Sequence, residues 1–158
     1  MISWDRQGDN TIVIFSPRQI RWLRKHLTDY LHRVDRALGG HFDDPVISSL
    51  FGDDCLRERD LFSRFSRAQA AITTLLNDLP DRGGAIVIRD GQHRMTWTWT
   101  VHELRIALAA RLGLPSLDVA GQSDQPSAQN KLMQWLSTVA DTLATAGDRA
   151  FVSECFEQ

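Results

Sequence analysis

The sequence predicts a mainly α (α+β) fold, a single-domain bundle of four or five helices with a small two-stranded β-sheet. Three observations predict it. Four long stretches repeat apolar residues at steps of three and four, the spacing that gathers one face of an α-helix. Two short β-branched runs, TIVIF at 11–15 and AIVIR at 85–89, each stand just ahead of such a stretch. The chain of 158 residues, 42% of them apolar, is long enough to bury one sizeable core.

The first run ends at Ser16-Pro17, a good N-cap followed by a residue suited to the first helical position. Ile20, Leu23, Leu27, Leu31, Val34 and Leu38 then give a helix that Gly39-Gly40 stops. After a polar loop, Asp44-Pro45 opens a short helix to Phe51. The third helix spans 56–79, with Leu61, Phe65, Ala68, Ile72, Leu75 and Leu79 inward, and Pro80 and Gly83-Gly84 close it. The second β-branched run follows. The two strands are expected to pair with each other, having few other apolar partners.

The stretch 92–113, QHRMTWTWTVHELRIALAARLG, is the centre of the prediction. Trp97, Val101, Leu104, Leu108 and Leu112 form one stripe; Met95, Trp99, His102, Ile106 and Ala109 form another on roughly the opposite face. A helix apolar on two sides needs cover on both, so it is central to a bundle or lies at an interface. Asp90-Gly91 before alternating MTWTWTV is also a hairpin signal. The stripe that stays in phase from Trp97 to Leu112 favours the helix. A linker at about 114–126 and a last helix at about 126–146, with Leu132, Trp135 or Leu136, Val139 and Leu143 inward, complete the chain. Gly147 is expected to stop that helix ahead of a tail.

Composition narrows the function classes. No apolar run approaches the ~20 residues of a membrane span, and the N-terminus lacks a signal-peptide pattern, so a cytoplasmic location is expected. The net charge of −2 argues against a general nucleic-acid coat, yet residues 17–38 carry Arg18, Arg21, Arg24, Lys25, Arg33 and Arg36 against Asp29 and Asp35 alone. Arg18, Arg21, Lys25, His32 and Arg36 lie largely off the apolar stripe and can meet phosphates or an acidic partner; a solvated face is the simpler reading.

No phosphate loop, His-Glu-x-x-His helix or nucleophile elbow is present, and neither a metal nor a cofactor is expected. His41, Asp43 and Asp44 fit a solvated turn better than a metal site, and His102 fits a hydrogen-bonded packing residue. Glu103, Arg105 and Arg111 suit ion pairing that orients the helix. Cys55 and Cys155 are the redox candidates, set against their being ordinary reduced thiols.

Three segments together resemble one family: DPVISSLF (44–51) before an Arg/Phe-rich helix, VHELRIALAARLG (101–113), and LMQWLSTVADTLATA (132–146). This is the actinobacterial family of unassigned domain function usually encoded beside the ClpS adaptor, which includes the oxidative-stress regulator AosR. Leu104, Arg105, Ala107, Leu108, Arg111, Leu112 and Gly113 match the family's central block; Val101, His102, Glu103, Ile106, Ala109 and Ala110 depart from it. A thiol switch normally uses a nearby cysteine pair, which Cys55 and Cys155 are not in sequence. The resemblance covers nearly the whole chain.

It implies a single regulatory domain over 1–158: a non-enzymatic cytoplasmic protein acting through protein–protein binding in transcription or oxidative-stress response. The expected partner is a protein, such as transcription machinery, with no membrane involved. Arg18, Arg21, Lys25, Arg36, Trp99 and Ile106 are the candidate contacts, and the Trp99 face is a candidate homodimer surface. The alternatives are a direct DNA-binding transcriptional regulator, and a structural or adaptor protein without redox sensing.

Overall fold

The computed structural model describes residues 3–7, 10–52, 58–113 and 128–156. Two strands, β1 (Ser3–Gln7) and β2 (Asn10–Phe15), lead into helices α1 (Pro17–Leu38), α2 (Pro45–Phe51) and α3 (Glu58–Asp78). Strand β3 (Gly84–Ile88) then precedes α4 (Gly91–Arg111) and α5 (Ala128–Phe156). The expected pairing of the two β-branched runs is present, antiparallel, with Val13 opposite Ile86. To it β1 adds a third strand on the far side of β2, so the sheet order is β1-β2-β3. The described residues thus form a five-helix α+β domain.

Local chemistry sets most helix ends. Ser16 and Gln19 form a reciprocal capping box at the start of α1. Asp44 caps α2 and Asp90 caps α4, where its carboxylate accepts from the His93 N–H at 2.8 Å. That cap decides the hairpin-or-helix question, because 91–111 is continuous helix. At the other end Gly113 adopts φ +66°, a conformation that favours glycine, and its N–H closes on the Ala110 carbonyl.

One sequence expectation is corrected here. Helical backbone continues through Gly147 to Phe156 and is not stopped at 146. Glycine inside a helix costs only ~1 kcal/mol relative to alanine, less than is needed to end a helix that is already propagating. The linker at 114–126 lies outside the described residues.

The inner face of the sheet (Val13, Phe15, Ile86, Ile88) is buried against the helices, while Ile14 and Val87 point outward. Helix α4 packs most extensively on α5 and also touches α2, α3 and α1. Its main stripe is core, as the spacing predicts: Trp97, Val101, Leu104 and Leu108 are all buried. An aromatic chain ties the elements together. Phe15 stacks with Trp97 at 6.4 Å and meets the edge of Trp135 at 6.0 Å, and Trp135 meets Trp22 at 5.7 Å. Thus β2, α4, α5 and α1 share one apolar centre.

Polar bonds fix how the helices are rotated. Arg24 donates to the carbonyls of Leu79 and Pro80, closing the C-terminal end of α3. Arg33 holds Asp44 with two bonds of 2.7 and 2.8 Å from one nitrogen, so Asp44 serves both as cap and as anchor to α1. The expected ion pairing is found at Arg111, which bridges to Asp29 at 3.2 Å, while Glu103 and Arg105 bond neutral hydroxyls. The three reach two other helices: Glu103 accepts from Tyr30 on α1, Arg105 donates to Ser137 on α5, and Arg111 donates to Asp29 on α1. Sequence spacing shows neighbours on one helix only, and these partners lie 73, 32 and 82 residues away.

The loop before β3 passes hard against the start of α1. A Cβ at Gly83 would lie 2.5 Å from Pro17 Cδ and 2.6 Å from the Pro17 nitrogen, distances that real contacts do not reach. Because one of these atoms is backbone, the loop itself must shift. Gly83→Ala is therefore expected to lower stability by about 1–3 kcal/mol, the range for overpacking. The reading is the urea midpoint at constant slope; an unchanged midpoint would remove this contact as a constraint.

Candidate partner-binding site

An open groove of about 570 Å³ lies between α3 and α4, with Phe51 of α2 in its lining. On α3 it uses Arg64, Arg67, Ala68, Ala71 and Thr74, residues that share one helical face by their spacing. Ala70 extends this low wall, and the small side chains create the depth. On α4 the facing residues are Gln92, Met95, Thr96, Trp99, Thr100 and Glu103, again one face. Thr74 and Thr96 donate their hydroxyls to carbonyls of their own helices, the Ala70 and Gln92 carbonyls. Their hydroxyl protons are therefore taken up within each helix.

The groove carries its apolar surface on α4 and its positive charge on α3. Trp99 is 61% exposed and Met95 54% exposed, large values for side chains of this type. Arg64 lies over the Phe51 ring at 5.1 Å, which orients its guanidinium, and Arg67 is exposed. Glu103, on the α4 wall, accepts the Tyr30 hydroxyl at 3.0 Å. Burial pushes the Glu103 carboxyl above the ordinary carboxylate value, while the Tyr30 bond and the Arg64 charge act against that rise. Burial, with the Glu103 charge, raises the Tyr30 phenol, so it stays protonated and keeps donating.

The second α4 stripe is thus divided. Trp99 and Met95 line the open groove, Ala109 is buried, and Ile106 is half-buried and lines no part of the groove. Arg64 and Arg67 were not singled out by sequence. Their three-residue spacing beside alanines is visible there, but a groove needs a second wall, which α4 supplies from about thirty residues on.

The exposed candidates of α1 stand apart. Arg18, Arg21, Lys25 and Arg36 are exposed, and among the described residues none of them is in an ion pair. None of them lines the groove. On the same helix His26 rests against Trp22 with ring centres 4.0 Å apart. Burial, then the charges of Arg111 and Lys25, hold its pKa down from 6.5 to about 4, with Asp29 opposing.

Acid–base chemistry has little to work with at His93. Its Nε2 bonds Asp78 at 2.6 Å and its Nδ1 accepts the Arg89 backbone N–H at 3.2 Å, so both nitrogens are occupied. His102 is half-buried beside Trp99, at an edge contact of 6.4 Å. His41 and Asp43 are exposed, and among the described residues no cluster of three His, Cys, Asp or Glu is placed to hold a metal ion. Cys55 lies outside the described residues; Cys155 falls on the backbone of α5, and its side chain is outside them. Among the described residues no helix is long and apolar enough to cross a membrane.

Among the described residues, fold and groove together define a small five-helix domain whose groove is lined by arginines and an exposed tryptophan. The chain belongs to the family described as a domain of unknown function (DUF2017), whose sequence pattern matches residues 1–147. No curated protein and no solved structure matched it.

Two substitutions separate core from surface. Trp97→Ala is expected to cost about 3–5 kcal/mol of folding stability, whereas Trp99→Ala should stay within about 0.5 kcal/mol. Denaturant titration of both variants is the measurement, and a large loss at Trp99 would place it in the core. The pH dependence has a definite sign. His26 is neutral in the fold and charges more readily when unfolded, so its stabilising effect is complete above pH 6.5 and is lost as pH falls toward 4. His26→Gln should flatten part of that decline, leaving the share of His102, whose pKa is lowered in the same direction. Parallel wild-type and variant curves would refute this assignment.

Proposed function

We propose that this chain is a non-enzymatic regulatory protein that acts by binding another protein, with the α3/α4 groove as its receptor surface. The observation that carries the reading is the exposure of Trp99 and Met95 in a groove that Arg64 and Arg67 also line. Trp, Met and Arg are the residue types that concentrate in binding interfaces and their hot spots. A groove with an apolar wall and a cationic wall suits a short amphipathic acidic segment, laid in with its apolar face on α4.

The finer family placement belongs to this reading. The segments 44–51, 101–113 and 132–146 resemble the actinobacterial family that includes AosR, and they support a cytoplasmic role in transcription or oxidative-stress response. Thiol sensing through Cys55 and Cys155 is a separate element of that role. The exposed arginines of α1 favour a second reading, direct DNA binding, whose mark is an affinity that falls steeply with salt.

The test begins with recovery of a partner from the native cell extract, followed by measured binding to purified variants. Arg64→Glu with Arg67→Glu should abolish binding, and Trp99→Ala should weaken it by about 2 kcal/mol or more, as at interface hot spots. Unchanged binding in these variants, with loss in Arg21→Glu/Lys25→Glu, would move the surface to α1. A low-salt gel shift that disappears with salt would favour the DNA reading.

A further inference from the structure

The sheet ends on β3, and among the described residues no strand pairs with its outer edge. Alternate N–H and C=O groups of an edge strand face away from its single partner and can template another strand. The usual protections are missing from Gly84–Ile88, which holds no proline, no lysine and no charged residue at all. The outward side chains make the edge more adhesive. Val87 is 45% exposed and Ile14 on the neighbouring strand is 47% exposed, with exposed Ala85 directly opposite Ile14.

We infer that β3 pairs antiparallel with β3 of a second copy of this chain, joining two three-stranded sheets into one. The register follows from the sequence of the edge. A two-fold axis at Ile86 sets Gly84 opposite the partner's Ile88 and Ala85 opposite the partner's Val87, so the whole apolar run is matched to itself. Directly opposed residues share a face, so Ala85 and Val87 of both copies form one outward strip flanked by Ile12 and Ile14. The same register places Arg82 opposite the partner's Asp90, and Asp90 opposite the partner's Arg82. Both residues are exposed and, among the described residues, neither is in an ion pair. Any shift of the axis breaks this double match. No groove residue lies on β3, so two copies joined here would keep both grooves open.

Light scattering after size exclusion, run on the full chain over a dilution series, tests the inference. The wild type should show twice the chain mass and dissociate on dilution. Val87→Lys should give a monomer with an unchanged helical circular-dichroism spectrum. Arg82→Glu, which sets a carboxylate against the partner's Asp90 and leaves the Asp90 cap intact, should dissociate at a higher concentration than wild type. Two results overturn the inference: a wild type that stays monomeric at millimolar concentration, or a dimer indifferent to Val87→Lys and abolished by Trp99→Asp. If Val87→Lys fails to fold, Arg82→Glu alone decides.

Discussion

A single carboxylate oxygen holds the two walls of the groove in place. Asp78, the last residue of α3, accepts from the Trp97 indole at 2.9 Å and from His93 at 2.6 Å. These donors lie one helical turn apart on α4, so the bond pair fixes both the position and the rotation of that helix against α3. The indole would otherwise bury an N–H without a partner, at a cost of ~1–3 kcal/mol. His93 is oriented in turn by the backbone of Arg89 at the end of β3. Helix end, strand end and helix start therefore meet at one point.

The groove depends on that rotation. Residues two apart on a helix differ by about 200° in direction, so seating Trp97 on Phe15 sends Trp99 out the other side. A four-residue continuation from Trp99 brings Glu103, which also lines the groove, to Tyr30 of α1. The same arrangement that completes the core thus leaves a large aromatic side chain uncovered. Exposed tryptophan is a poor contributor to folding, and its presence in a groove with two arginines is the ground of the proposed binding role.

The arginines of α1 show how tertiary context sorts residues of one type. Arg24 and Arg33 are spent on the end of α3 and on the Asp44 cap. Arg18, Arg21 and Arg36, with Lys25, remain exposed. Charge counts along the chain cannot divide these two sets, since Arg21 and Arg24 are separated by less than a turn. The partners that claim Arg24 and Arg33 come from other elements of the fold.

What the sequence by itself determined is local. The apolar stripes, the caps at Ser16, Asp44 and Asp90, and the glycine after α4 depend on groups within a few residues, and the starts of α1, α2 and α4, together with the main stripe of α4, follow from them. The pairing of β2 with β3 was legible as well, because two β-branched runs had no other apolar partner. Tertiary structure alone decided which side of α4 stays open, which arginines are free, and that α3 supplies the second wall beside Trp99. It also chose the partners of Glu103, Arg105 and Arg111, joining the first and last to α1 and Arg105 to α5. The physical reason is the same throughout: a groove and a long-range polar bond are properties of two elements, and periodicity reports on one at a time.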